Sequence, residues 1–386
     1  MNTETSKVMF ALLRSAVCGG LLSSEEISLY SPDMLPEIMS LAQKHDVIHL
    51  IVFALKKNGL LDESSKNLES KMLIAVYRLE KLNYELTKLC AELEQAEIPF
   101  IPLKGSVLRQ YYPEPWMRTS SDIDVLVREE ELRKATELLT EELHYTFKEK
   151  TSHDVSLFTQ GGQHIELHYD LLEDNRVRNA AQVLKKVWND AAKCDGFAFQ
   201  YEMTDAMYYF YHIAHMAKHF ENGGCGVRPF LDIWILNHRI DFDRTARETL
   251  LREGGLSVFA EQAERLSEVW FGEAEHTEVT RQTEAYILRG GVYGTNENRI
   301  TVQQQKQGGR IQYALSRIFI RYDEIKFHYP ILQKHRILTP IMEVRRWGKL
   351  IFCGHLKRTA KELEYNRHIS AETASEMRKL LKNVGL

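Results

Sequence analysis

The 386-residue chain has only five cysteines, Cys18, Cys90, Cys194, Cys225 and Cys353, and none stands in a Cys-x-x-Cys pair. Such scatter excludes a paired-cysteine zinc site and a disulfide framework, so a reducing cytoplasm is the expected setting. No apolar stretch approaches the roughly 20 residues that a membrane-spanning helix needs. The early apolar run from Lys7 is cut short by Arg14 and lacks a clear small-residue cleavage site, so no secretory leader is expected. Internal repeats and low-complexity linkers are also missing. With 44% hydrophobic and 27% charged residues, a folded chain is expected rather than a disordered one, and its length suffices for two or three domains.

The net charge of −4 conceals an imbalance. Residues 301–386 carry 17 Lys and Arg against 7 Asp and Glu, a net +10, which leaves −14 on residues 1–300. In that basic end aromatics mix with cations, at Ile318 to Tyr322, His328 to Leu332 and Arg345 to Phe352. Three readings stay open for it: a docking face for the acidic remainder of the chain, a membrane-surface helix, or a nucleic-acid patch.

Chemistry concentrates between residues 98 and 171. The run Ile98-Pro99-Phe100-Ile101-Pro102-Leu103-Lys104 is β-prone and stops at Gly105; from Ser106 to Tyr112 the spacing becomes helical. Gly105 permits close approach of a ligand to the backbone. Ser106 can cap the helix, whose first N–H groups attract phosphate oxygens. A plain strand-to-helix cap is the alternative. In Asp122-Ile123-Asp124-Val125-Leu126-Val127 the two aspartates share one strand face, where mutual repulsion raises their pKa values and a divalent cation relieves it. A solvated strand edge would look the same. The segment from His164 to Leu171 alternates strictly, with His164, Glu166, His168 and Asp170 on one face; Glu166 becomes a third metal ligand if this strand lies beside the Asp-Ile-Asp strand. Short strands at 145–150 and 154–159 intervene, and a helix is predicted over 129–142.

Taken together, Leu103-Lys104-Gly105, Arg118 ahead of the Asp122 strand, Ile165-Glu166-Leu167-His168, and His215 with His219 ahead of Arg228 and Asp232 resemble the uncharacterised nucleotidyltransferases of bacteria, within the DNA polymerase β-like superfamily. The core of the resemblance covers 96–175. It implies an α+β fold, a small mixed β-sheet flanked by largely helical N-terminal and C-terminal regions. It also implies a magnesium-dependent enzyme in which Asp122, Asp124 and Glu166 hold two Mg²⁺ ions and a nucleoside monophosphate passes from an NTP, ATP among the candidates, to a hydroxyl on a small molecule, protein or RNA. On that reading Gly105 and Ser106 hold phosphates, Lys104 or Arg118 neutralises the leaving pyrophosphate, and His215, Arg228 and Asp232 fix nucleotide or acceptor. The chain departs from minimal members in its longer gap before Asp122, filled by residues 111–118.

The remainder reads as helical. Its boundaries are expected near 97–99 and 173–175, giving a helical region 1–95, the core 96–175, a helical domain 176–300 beside the cleft, and the basic region 301–386. His212, His215 and His219 share a helix face but lack His-Glu-x-x-His, and an ion pair between Arg228 and Asp232 four residues apart is the alternative to a substrate role. The glycine-rich stretch 290–298 reads as a mobile loop that covers the site. Two further functions stay in play, a non-catalytic binding or scaffold protein and a toxin-like tRNA-modifying enzyme; no stable DNA complex is expected. Removing Asp124 should abolish activity and, by relieving repulsion, leave folding nearly intact.

Overall fold

The computed structural model describes residues 3–386 except 62–66, 174–176, 293, 323–324, 327–328, 330, 353–361 and 363. Part of the expected boundary at 173–175, and Cys353, His328 and Pro330, therefore lie outside the described residues.

Five strands form one mixed sheet: β1 (Phe100–Pro102), β2 (Asp122–Val127), β3 (Thr146–Lys150), β4 (Asp154–Phe158) and β5 (His164–His168). Their order across the sheet is β1-β2-β5-β4-β3, and only β2 and β5 among neighbours run parallel. The sheet and its helical flanks make the chain α+β, as the family resemblance implies.

Alternation also sets the two faces of the sheet. Ile123, Val125 and Val127 of β2 join Ile165 and Leu167 of β5 in a buried cluster with Leu82, Leu89 and Leu93 of the helix Ser70–Gln95. Each such leucine contributes up to about 1.5–3 kcal/mol by leaving water. The predicted helix over 129–142 is divided into a 3₁₀ turn Glu129–Glu131, a helix Leu132–Glu137 and a π turn Leu138–Glu142, and packs on this same face through Leu132 and Leu139. The opposite face carries Asp122, Asp124, His164, Glu166 and His168, and looks toward the helix Asp205–Glu221.

A second, larger apolar cluster runs without a break from Val8 and Leu12, through Leu50 and Ile51, to Phe210, Ile213, Ile233 and Ile287. Phe10 stacks on Trp270 with ring centroids 4.3 Å apart, so N-terminal helices and the helices that follow the sheet share one core. Within the segment 290–298, the described residues join two helices and place Val292 in the lining of the cleft. One helix ends at Gly290 and the next begins at Asn296, and between them Gly294 lies so close to Gly223 that a Cβ there would sit 2.4 Å from its carbonyl carbon. Asn298 Nδ2 then donates to Gly223 O at 3.1 Å. Backbone against backbone packs Gly294 down on Gly223 and Gly224.

Candidate active site

Strand pairing brings the carboxylates together. Asp124 stands opposite Glu166 in the β2–β5 register, Asp122 opposite His164, and Leu126 opposite His168. Two trios result whose ligand atoms lie within 4.8 Å of one another, Asp122 with His164 and Glu166, and Asp124 with Glu166 and His168. Hard carboxylate oxygens crowded on one wall, with imidazole nitrogens at the margin, suit a divalent cation. Crowding is visible electrostatically: burial and then the neighbouring Asp124 raise the Asp122 carboxyl above its ordinary range.

Asp124 shows the opposite shift. Burial would raise it, but the Lys104 ammonium 2.7 Å from Oδ1 and the His168 Nε2–H, which donates at 2.9 Å, hold it well below the usual carboxylate range. Lys104 also lies 3.7 Å from Glu166 Oε2, and His168 Nε2 3.3 Å from the same oxygen. Despite its burial, the Lys104 ammonium is held above its ordinary range by these carboxylates, Asp124 foremost. The protein's own cation thus holds the acidic cluster, and removal of Asp124 would leave Lys104 without its nearest partner, which argues for a folding cost where repulsion alone argued for none.

The turn before β2 also differs from expectation. Lys104, not Ser106, is the N-cap of the helix Gly105–Leu108, and no side chain caps it. The helix starts one residue earlier than the sequence pattern suggests, so the Ser106 N–H donates to Leu103 O and Ser106 is absent from the cleft lining. Lys104 takes φ +48°, a strained conformation for a side-chain-bearing residue, and the Tyr208 hydroxyl donates to its carbonyl at 2.7 Å. The missing side chain of Gly105 makes room for Ser120: a Cβ would lie 3.0 Å from Ser120 Oγ.

Arg118 is committed within the protein. Its Nε and Nη2 donate to Asp232 Oδ1 and Oδ2 at 2.8 and 3.0 Å, its Nη1 to Thr119 O at 2.8 Å, and the Tyr112 hydroxyl donates to Asp232 Oδ1 at 2.7 Å. Asp232 is fully buried and its carboxyl is lowered, Arg118 overcoming the effect of burial. The ion pair expected between Arg228 and Asp232 does not form. Arg228 instead reaches Asp46 Oδ2 at 3.0 Å and Thr119 O at 3.0 Å, because the 111–118 insert delivers Arg118 to Asp232 first.

Arg118, Arg228, Asp232 and His215 nonetheless line one cavity of about 330 Å³ with Lys104, Gly105 and the three carboxylates. Alongside lies a second cavity of about 620 Å³, which shares Ser120, Ser121, Arg228 and Val292 with the first. Its lining has Lys44, Arg78, Lys81 and Arg228 against one carboxylate, Asp46, among the described residues.

The sequence reading missed Tyr208 and Tyr211. Both extend the 212, 215, 219 stripe by one turn, which is the signal that could have found them. The Tyr211 hydroxyl is buried at the carboxylate cavity with no partner among the described residues, a donor available to a substrate.

Buried imidazoles add a pH dependence. His215 and His219 approach at 3.2 Å between Nε2 atoms; burial and then its neighbours hold His219 near a pKa of about 4, and burial does the same for His45. These rings are neutral in the folded chain, whereas the unfolded chain takes up protons below about pH 6.5. The contribution of these rings to stability is therefore complete above about pH 6.5 and is lost as pH falls through about 4. Melting temperature measured across that range should decline, and His219→Gln should remove part of the decline; a flat profile in the wild type would refute the neutral pair.

A family model described as uncharacterised nucleotidyltransferase matches residues 32–272, more than half of the chain. No curated protein and no solved structure matches it.

Proposed function

The chain belongs to the uncharacterised nucleotidyltransferase family, and from that premise we propose that it transfers a nucleoside monophosphate from an NTP to an acceptor hydroxyl by two-metal catalysis. One observation carries the proposal: β2 and β5 pair so that Asp122, Asp124 and Glu166 meet on a single wall of the cleft. Asp122, Asp124 and Glu166 would hold Mg²⁺ there, which would supply positive charge to lower the pKa of the acceptor hydroxyl and offset charge on the phosphates. The rest falls to side chains of this chain. Asp122, on the same wall, is assigned the proton of the acceptor. Lys104 offsets charge that develops on the leaving pyrophosphate, and His168 keeps Asp124 oriented through its Nε2–H. The phosphate tail is assigned to the second cavity, where cations outnumber carboxylates and Ser120 and Ser121 connect to the first.

Titration calorimetry with non-hydrolysable ATP, GTP, CTP and UTP analogues tests this. Binding should require Mg²⁺ and should disappear in the Asp122→Ala, Asp124→Ala double variant, and the base that binds names the nucleotide. Equal binding without metal, or by the double variant, would remove the carboxylates from the site. The competing reading, a non-catalytic scaffold of the same fold, draws on the Lys104 ammonium already seated against Asp124. It requires that no nucleotide binds in a metal-dependent way.

A further inference from the structure

Beyond the cleft, the basic C-terminal region bears apolar side chains on its surface. It is anchored by a small core of Ile300, Tyr313 and Ile369, while the helix Arg310–Ile318 leaves Ile311, Leu315 and Ile318 exposed at spacings of four and three residues. The same spacing recurs in Ile337, in the 3₁₀ turn Arg336–Leu338, and in Ile341 and Val344 of the helix Thr339–Phe352 that follows it, where they are 88, 61 and 63% exposed. The two helices meet at one seam: Trp347 Nε1 donates to Ile318 O at 2.8 Å, Ile320 N to Glu343 Oε1 at 2.8 Å, and Phe319 packs edge-on against Trp347. Around the stripes Arg310, Arg321, Lys334, Arg336, Arg345 and Lys349 are exposed or half-buried at the surface. The one carboxylate among the described residues of 310–349, Glu343, is buried and paired with Arg346.

We propose that these paired stripes are a contact surface for a membrane leaflet rich in anionic lipid, the cations meeting headgroups and the aliphatic side chains entering the acyl boundary. Three features select this occupant. The stripes are exposed, so they are not spent on docking to the acidic remainder of the chain. Six of the seven large exposed residues they carry are aliphatic, with Phe319 the exception, whereas single-stranded nucleic acid is held by aromatic stacking platforms. A second copy joined across a two-fold axis would set cation against cation. Among the described residues no helix is long and apolar enough to cross a membrane, so the contact is peripheral.

Sedimentation of the full chain with phosphatidylcholine vesicles, with and without phosphatidylglycerol, tests the proposal. The chain should pellet with the anionic vesicles, lose that binding as salt rises, and ignore the neutral ones. Ile337→Glu with Ile341→Glu should cut the bound fraction constant about tenfold or more while Mg²⁺-dependent nucleotide binding is unchanged. The proposal fails if neutral vesicles bind as well as anionic ones, if the double variant binds like the wild type, or if the wild type ignores vesicles and binds an RNA oligonucleotide instead. It fails equally if light scattering shows that the double substitution converts a dimer to a monomer.

Discussion

Replacing Asp124 with alanine will abolish transfer and will also lower the melting temperature of the metal-free protein. On the proposed two-metal mechanism, the first effect follows from the loss of a ligand at the centre of the carboxylate wall. Metal stabilisation of a transition state is worth several kcal/mol, so a decrease of about 10³-fold in turnover is expected. The second effect comes from what remains. Asp124 is 3% exposed and takes both the Lys104 ammonium and the His168 Nε2–H. Without it the ammonium keeps, among the described residues, Glu166 at 3.7 Å as its one ion-pair partner, and the destabilisation should reach about 3 kcal/mol. The companion variant Lys104→Met, Asp124→Ala should recover much of that stability and none of the activity. Thermal melts in EDTA, run beside pyrophosphate-release assays, separate the two effects. An unchanged melt for Asp124→Ala would mean that Lys104 is not the resting counter-ion of the cluster.

The largest purely structural effect should come from Asp232. Its two oxygens take Arg118 and Tyr112, both from the segment ahead of β2, although Asp232 itself lies 114 residues further along the chain. Asp232→Ala would strand a buried guanidinium and should cost about 3–5 kcal/mol, whereas Arg118→Met with Asp232→Leu should restore most of it, because an apolar pair of similar bulk needs no counter-charge. Denaturant unfolding of the three variants measures this directly. A weakened KM with an unchanged unfolding midpoint would instead mean that Asp232 holds substrate and that its partner is replaceable.

What could be read from residues alone followed the range of the forces involved. Period-two alternation marked β2 and β5 and the face that each buries, and the region 1–95 before the sheet was legible as helical. Register between strands 42 residues apart was not, since it depends on tertiary pairing; only the fold shows Asp124 facing Glu166. Partner choice was equally out of reach. Arg228 and Asp232 are four apart on a helix, the spacing that favours a local pair, but Asp46 and Arg118 arrive from elsewhere and form separate pairs with closer geometry. Ser106 failed by a single residue, because Lys104 accepts a positive φ and the helix begins early. The helical stripe marks the position of Tyr211 and the alternation that of His168, but the tasks of the two side chains emerge only when the sheet brings the carboxylates to them.

The parallel seam between β2 and β5 has a consequence for how a preparation of this protein can be judged. Gln163 Nε2 donates to Ser121 O at 2.8 Å just before the pairing begins, which helps to pin the alignment. A slip by one residue would turn Glu166 into the apolar layer and put Leu167 or Ile165 opposite Asp124. Such a misaligned chain could still be helical, compact and monodisperse. Catalytic titre per molecule, rather than yield or circular dichroism, is then the quality standard by which refolded or heavily mutated samples should be compared.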